Sequence, residues 1–144
     1  MKEDELVEHF INLDISNSDL IKNLKQKIDP NRKLKIFTYG IKRLSNYDKP
    51  KNTSFDAQII RSYFAPDIST KKSTGLDEGV QNGVFASDQF EGFLTSIIDK
   101  IESDNLVSIS IYCTFGRHRS VSTAEILKKY LYPKSIVKHL TINK

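Results

Sequence analysis

The chain of 144 residues holds one cysteine, one methionine, four prolines and no tryptophan. A lone cysteine, Cys113, cannot close an internal disulfide, so nothing points to an oxidising compartment, and the cytoplasm is the expected location. No apolar run approaches the ~18 residues that a membrane-crossing helix needs, so no membrane association is expected. The opening MKEDELVEHF is acidic and polar, the wrong character for a signal peptide. The phosphate-binding pattern G-x-x-x-x-G-K-[ST] is missing, as are internal repeats and low-complexity tracts, and neither a cofactor nor a metal is expected.

What is present fits one soluble domain: 38% hydrophobic residues, 28% charged residues and a net charge of +4. The positive excess suits phosphorylated small molecules or nucleic acid without demanding either. Lysines and arginines are numerous from Lys22 to Arg43, a run that solvation alone would explain.

Hydrophobic spacing predicts the elements. Leu6, Val7, Phe10 and Ile11, then Leu20, Ile21, Leu24 and Ile28, recur at helical intervals, with Ser16 to Ser18 as a break and cap between two short helices. Their expected role is to cover the core, with a partner-binding arm as the alternative. Lys33 to Gly40 and Ala57 to Phe64 read as strands, and residues 41–54 and 65–76 as loops. Phe90, Phe93, Leu94, Ile97, Ile98 and Ile101 mark a strongly amphipathic helix with Asp88 as its expected N-cap. Leu106 to Cys113 follows as a strand, then a helical face from Val121 to Leu131 ended by Pro133, then a last strand in 135–142. The order predicts a layered α/β domain over 31–144 with a mostly parallel sheet of about four strands, preceded by a helical extension over 1–30.

The chemistry concentrates in CTFGRHRS, Cys113 to Ser120. In a parallel sheet, ligands bind outside the carboxyl ends of the strands. Gly116 permits close backbone approach, the helix opening near Ser120 turns unpaired N–H groups toward the loop, and Arg117, His118 and Arg119 add side-chain donors. Together they describe an oxyanion cradle. The same residues spell C-x-x-G-x-x-R-S, the spacing of cysteine-dependent phosphatases, which leaves open a Cys113 nucleophile with Arg119 holding the phosphate. That alternative lacks a clearly marked acid, although Asp77 and Asp88 lie upstream at suitable distances. His118 has a second reading as a structural histidine bonded to a loop carbonyl, and Asp77 as the N-cap of the short segment after it.

Three motifs in order carry a wider resemblance. YCTFGRHRSVSTAE resembles the signature G-C-T-G-G-K-H-R-S-V of the C-terminal domain of the RapZ family, the bacterial RNase adapter proteins, with matches at Cys113, Thr114, Gly116, His118, Arg119, Ser120 and Val121. TGLDEGV, Thr74 to Val80, resembles that family's T-G-L-D-x-P-V, and Ile36 to Lys42 resembles its strand opening. Arg61 with Pro66 is similar, more loosely, to its R-F-L-P-N-P stretch. The resemblance implies a regulatory binding domain rather than an enzyme, one that binds glucosamine-6-phosphate and a small RNA and self-associates. It places Cys113, Thr114, Gly116, Arg117, His118, Arg119 and Ser120 at the phosphate, and Thr74, Asp77 and Arg61 on facing segments. Phe115 stands where the family has a second glycine, narrowing the cradle or offering a stacking face to a base.

Overall fold

The computed structural model describes residues 14–63 and 73–144. The first expected helix (Leu6, Val7, Phe10, Ile11), Pro66 and most of the expected 65–76 loop lie outside them. Four strands form one all-parallel sheet: β1 (Lys35–Gly40), β2 (Thr53–Asp56), β3 (Ser108–Cys113) and β4 (Ile136–His139), in the order β2-β3-β1-β4. The helices are α1 (Asp19–Lys25), α2 (Glu78–Phe85), α3 (Phe90–Asp104) and α4 (Arg119–Ile126), the last continued by a π-helical turn over Leu127–Leu131. This is the α/β architecture expected from the sequence.

Period-2 alternation assigns the two sheet faces. Ile36 of β1 and Ile109, Ile111 and Cys113 of β3 point into the core, against the buried faces of the helices. Phe37 and Tyr39, with Ser108, Ser110 and Tyr112, occupy the other face, where Tyr39 and its register partner Tyr112 stack at 5.5 Å. The helix-free connection from β1 to β2 runs over this second face: Asn52 bonds Ser108 and Ser110, and the Lys49 ammonium lies 5.9 Å from the Tyr39 ring.

The expected apolar stripe of α3 is fully realised. Phe90, Leu94, Ile97, Ile98 and Ile101 have no exposed surface and Phe93 has 4%, each burial stabilising by on the order of 1.5–3 kcal/mol. Ser18 caps α1 by accepting from the Ile21 N–H, and Ile21 and Leu24 are buried in the core cluster, so α1 covers the core.

Three local expectations are corrected. The second strand is Thr53–Asp56 rather than Ala57–Phe64, because the Asp56 carboxylate accepts from the Gln58 N–H and turns Ala57–Ile59 into a 3-10 helix. Asp88 is exposed and does not cap α3, whose N-cap position falls on Gln89 with no side-chain cap bond. The helical face ending at Leu131 is α-helical only to Ile126; the Tyr132 N–H reaches back five residues to the Leu127 carbonyl at 2.7 Å.

Candidate functional site

β1 and β3 end side by side, Gly40 opposite Cys113, and their pairing continues into the loops: the Ile41 N–H donates to the Cys113 carbonyl at 2.8 Å and the Lys42 N–H to the Thr114 carbonyl at 3.1 Å. Gly116 then turns the chain with φ +72°. A Cβ on Gly40 would lie 2.3 Å from the Phe115 carbonyl carbon, and one on Gly116 would lie 2.3 Å from both the Gly40 nitrogen and Thr141 Oγ1. Only two glycines permit backbone to rest on backbone here. Thr141 pins the contact, accepting from the Gly40 N–H at 2.8 Å and donating to the Phe115 carbonyl at 3.4 Å.

The loop leads directly into α4, whose N-cap residue His118 makes no side-chain cap bond. Among the described residues, the backbone N–H groups of Phe115, Gly116, His118, Arg119 and Ser120 have no acceptor. Of these residues Phe115, His118 and Arg119 line a cavity of about 400 Å³, together with Arg43, Tyr63, Cys113 and Arg117. It sits outside the carboxyl ends of β1, β2 and β3, where parallel-sheet proteins place their ligands. Among the described residues, three of the lining side chains are guanidinium groups and none is a carboxylate, so the loop amides, the helix dipole and the arginines all favour an anion.

The individual side chains are more committed than the sequence implied. The Arg119 guanidinium donates from Nη1 to the Ile60 carbonyl (3.2 Å) and the Gln58 carbonyl (3.4 Å), and from Nη2 to Thr114 Oγ1 (3.2 Å). Arg119 therefore ties the loop after β2 to the start of α4, leaving Nε without an acceptor among the described residues. Thr114 in turn donates to Gln58 Oε1 at 3.1 Å. Cys113 is 3% exposed, belongs to the core cluster and has its Sγ 3.2 Å from Ser120 Oγ.

Both ring nitrogens of His118 are engaged. Nε2 lies 2.8 Å from the Ser73 carbonyl, which can only accept, so Nε2 carries the hydrogen. Nδ1 then accepts from the Tyr63 hydroxyl at 3.2 Å, and burial keeps that phenol protonated by raising its pKa. Of the two readings of His118, the structure supports the histidine bonded to a loop carbonyl. Burial is the main influence lowering its pKa, with Arg117 and Arg119 acting the same way against the Ser73 bond.

A pH prediction follows from that direction. Because the folded-state pKa lies below the ordinary histidine value of about 6.5, the unfolded chain binds the proton more readily. The neutral ring's contribution is complete above about pH 6.5 and is lost as pH falls through the lowered folded pKa. Thermal unfolding should therefore show Tm decreasing from pH 7.5 to 5.5, with a shallower decrease in His118→Asn; equal slopes would contradict the assignment.

Thr74 and Asp77 close their own turn. The Thr74 N–H donates to Asp77 Oδ2 at 2.7 Å and Thr74 Oγ1 accepts from the Leu76 N–H at 3.1 Å, while Asp77 sits at the N-cap position of α2. Their loop is seated against the cradle through Gly75, whose N–H donates to the Arg117 carbonyl at 2.7 Å. Neither Thr74 nor Asp77 lines the cavity, and Arg61 is exposed and outside the lining. Sequence reasoning missed Arg43, Tyr63 and Thr141. No motif marks them; the meeting of strand ends brings them in.

A nucleotide-binding protein of Clostridium perfringens is 32% identical over 152 residues, covering 90% of this chain and 49% of the relative. One of Bacillus cytotoxicus is 31% identical over 143 residues, covering 85% and 47%, and one of Nitratidesulfovibrio vulgaris is 34% identical over 111 residues, covering 69% and 36%. The chain thus spans about half the length or less of the curated relatives it matches. The RapZ C-terminal domain matches residues 32–143, from just ahead of β1 to beyond Thr141, and the chain belongs to the RapZ C-terminal domain family.

Proposed function

We infer that this chain is a regulatory module that binds a phosphorylated ligand, a sugar phosphate or an RNA phosphate, with the phosphoryl group held by the Cys113–Ser120 loop. The observation carrying this reading is the cavity itself: unpaired loop and helix N–H groups beside three arginines, with no carboxylate in the described lining. Arg117 and the free Nε of Arg119 supply charge, and the amides of Gly116 and of the first turn of α4 supply donors. The names of the relatives, nucleotide-binding proteins, are consistent with a phosphate-bearing ligand.

The phosphatase alternative gains little. Ser120 beside Cys113 fits it, but the thiol is shielded at 3% exposure and no acid faces the cavity among the described residues. Asp77 is occupied by the Thr74 N–H. Catalysis of that kind needs a proton donor within reach of the leaving group.

The test is thermal unfolding of wild type and Arg119→Ala with inorganic phosphate, glucosamine-6-phosphate and a short RNA. A ligand at a hundredfold excess over its Kd stabilises by about 2.7 kcal/mol, a readily measured rise in Tm. Arg119→Ala should start from a lower Tm, having lost its bonds to the Gln58 and Ile60 carbonyls, and should show little ligand-induced rise. A full rise in the variant would remove Arg119 from the site, and no rise in wild type with any of the three would overturn the reading.

A further inference from the structure

Gln58 does not line the cavity, yet its side chain lies between the Asp56 carboxylate and the Thr114 hydroxyl that receives Arg119. Asp56 Oδ1 accepts twice from this residue, from the Gln58 N–H at 2.8 Å and from Nε2 at 3.0 Å. One oxygen thus holds both the main chain and the side chain of Gln58 in the turn after β2. The Gln58 carbonyl is itself an acceptor for Arg119 Nη1, at 3.4 Å, beside the Ile60 carbonyl at 3.2 Å.

Donor and acceptor capacities give these bonds a single direction. An ionised carboxylate only accepts, so the amide nitrogen of Gln58 belongs toward Asp56 and its oxygen toward Thr114. That oxygen also only accepts, and the Thr114 hydroxyl directs its one hydrogen to it at 3.1 Å. The hydroxyl lone pairs are then left for Arg119 Nη2, a pure donor 3.2 Å away. Without the Gln58 amide, the hydroxyl hydrogen is free to swing toward the guanidinium, donor against donor. This bears on binding because an arginine held in one orientation has less freedom to lose when an anion arrives. Arg119 lines the cavity, and its Cζ stands 5.9 Å from the Tyr63 ring centroid.

Resting on the anion-binding reading above, we propose that Gln58 is a positioning residue for that site. Oriented by Asp56, it sets the Thr114 hydroxyl, and through it the plane of the Arg119 guanidinium, before an anion enters the cavity. Gln58 acts on the anion only through Arg119. Its contribution therefore appears in the affinity for any tetrahedral oxyanion, whatever larger molecule carries that anion.

Isothermal titration with sulfate tests this, because sulfate is a tetrahedral oxyanion whose charge does not change between mildly acidic and mildly alkaline solution. Gln58→Met keeps the length of the side chain without its polarity, and should bind sulfate roughly 2- to 12-fold more weakly than wild type. Thr114→Val should lose a similar factor. The double variant Gln58→Met/Thr114→Val should lose no more than the larger single loss, because both changes break the same relay. Gln58 and Thr114 are half-buried and both substitutions preserve shape, so the variants are compatible with the fold. Gln58→Glu adds a readout that a packing role would not move. At about pH 8 its carboxylate meets that of Asp56, the two turn apart, and sulfate binds at least as weakly as in Gln58→Met. At about pH 5 the like-charged pair holds a proton, and the new O–H donates to Asp56 as the amide did. Affinity relative to wild type at the same pH should then recover to within about twofold. Tyr112, on which the Asp56 charge acts, stays protonated throughout, and any titration of His118 is common to all variants. Wild-type affinity in Gln58→Met overturns the positioning role. Losses that multiply in the double variant overturn the route through Thr114. A Gln58→Glu deficit equal at both pH values overturns the oriented relay. Absence of sulfate binding by wild type overturns the anion-binding reading itself, a failure distinct from the other three.

Discussion

Gly116→Ala should lower stability by about 3–4 kcal/mol and abolish phosphate binding together. Two costs add at this residue. Its φ of +72° lies in the left-handed region, where a Cβ is strained at roughly 1–2 kcal/mol. The added methyl would also stand 2.3 Å from the Gly40 nitrogen and Thr141 Oγ1 and 2.6 Å from the Tyr39 carbonyl carbon. Two of those three atoms are backbone of β1, so relief requires the loop to lift off the strand. Lifting it separates the Phe115 carbonyl from Thr141 and displaces the amides that border the cavity. The check is a urea midpoint and a phosphate titration on the same protein. Gly116→Asn separates the two causes, since asparagine tolerates the left-handed region but carries the same Cβ. An Asn variant as unstable as the Ala variant identifies steric overlap as the dominant cost. A wild-type midpoint in Gly116→Ala would contradict the close approach.

The elements that were legible in the sequence are those whose own residues determine them. Six apolar side chains on one face make α3 a helix whatever surrounds it, and the alternation in β3 needs only a core on one side. β2 was misplaced because an edge strand of Thr53, Ser54, Phe55 and Asp56 has one neighbour and little to bury, so its residues resemble a loop. α2 offers only Val80 and Val84 at helical spacing, too short an apolar stripe to read. It holds Gly79 and Gly83 and buries Gln81, whose amide donates to the Gly75 carbonyl while its oxygen accepts from Lys129. Those partners are known only after folding.

The site divides in the same way. A glycine ahead of arginines at a strand-to-helix junction reads as a candidate anion cradle, because local backbone physics is enough to build one. The roles of single residues depend on what lies opposite. Arg119 meets carbonyls 59 and 61 positions away and His118 meets one 45 positions away. Local spacing made both phosphate ligands; the fold makes His118 a tie between Tyr63 and Ser73, and Arg119 partly a brace. Residues 73–77 meet the loop through Gly75, whose N–H donates to the Arg117 carbonyl and where a Cβ would lie 2.3 Å from the Ser122 nitrogen, a contact that no local spacing announces.

Glu102→Ala should cost about 2–4 kcal/mol and leave phosphate affinity of the folded protein unchanged. Glu102 lies at the opposite end of the sheet from the cavity, where the chain enters its strands. Its Oε2 accepts from Arg32 Nε at 2.8 Å and from the Tyr132 hydroxyl at 2.7 Å, and its Oε1 accepts from Arg32 Nη2 and the Asp29 N–H at 3.2 Å each. One carboxylate thus joins the approach to β1, the end of α3 and the residue before Pro133. The Arg32 pair keeps about a fifth of its surface in water and contributes modestly by itself. Most of the loss comes from Tyr132, which is fully buried and would be left with a hydroxyl lacking a partner. Tyr132→Phe alone should cost about 1 kcal/mol. The double variant Glu102→Ala/Tyr132→Phe should then be more stable than the sum of the single losses implies, because no buried hydroxyl remains to be satisfied. Strict additivity in the urea midpoints would show that Tyr132 is not the source of the cost. A fall in phosphate affinity in folded Glu102→Ala would contradict the separation of this stabilising end of the sheet from the end that carries the cavity.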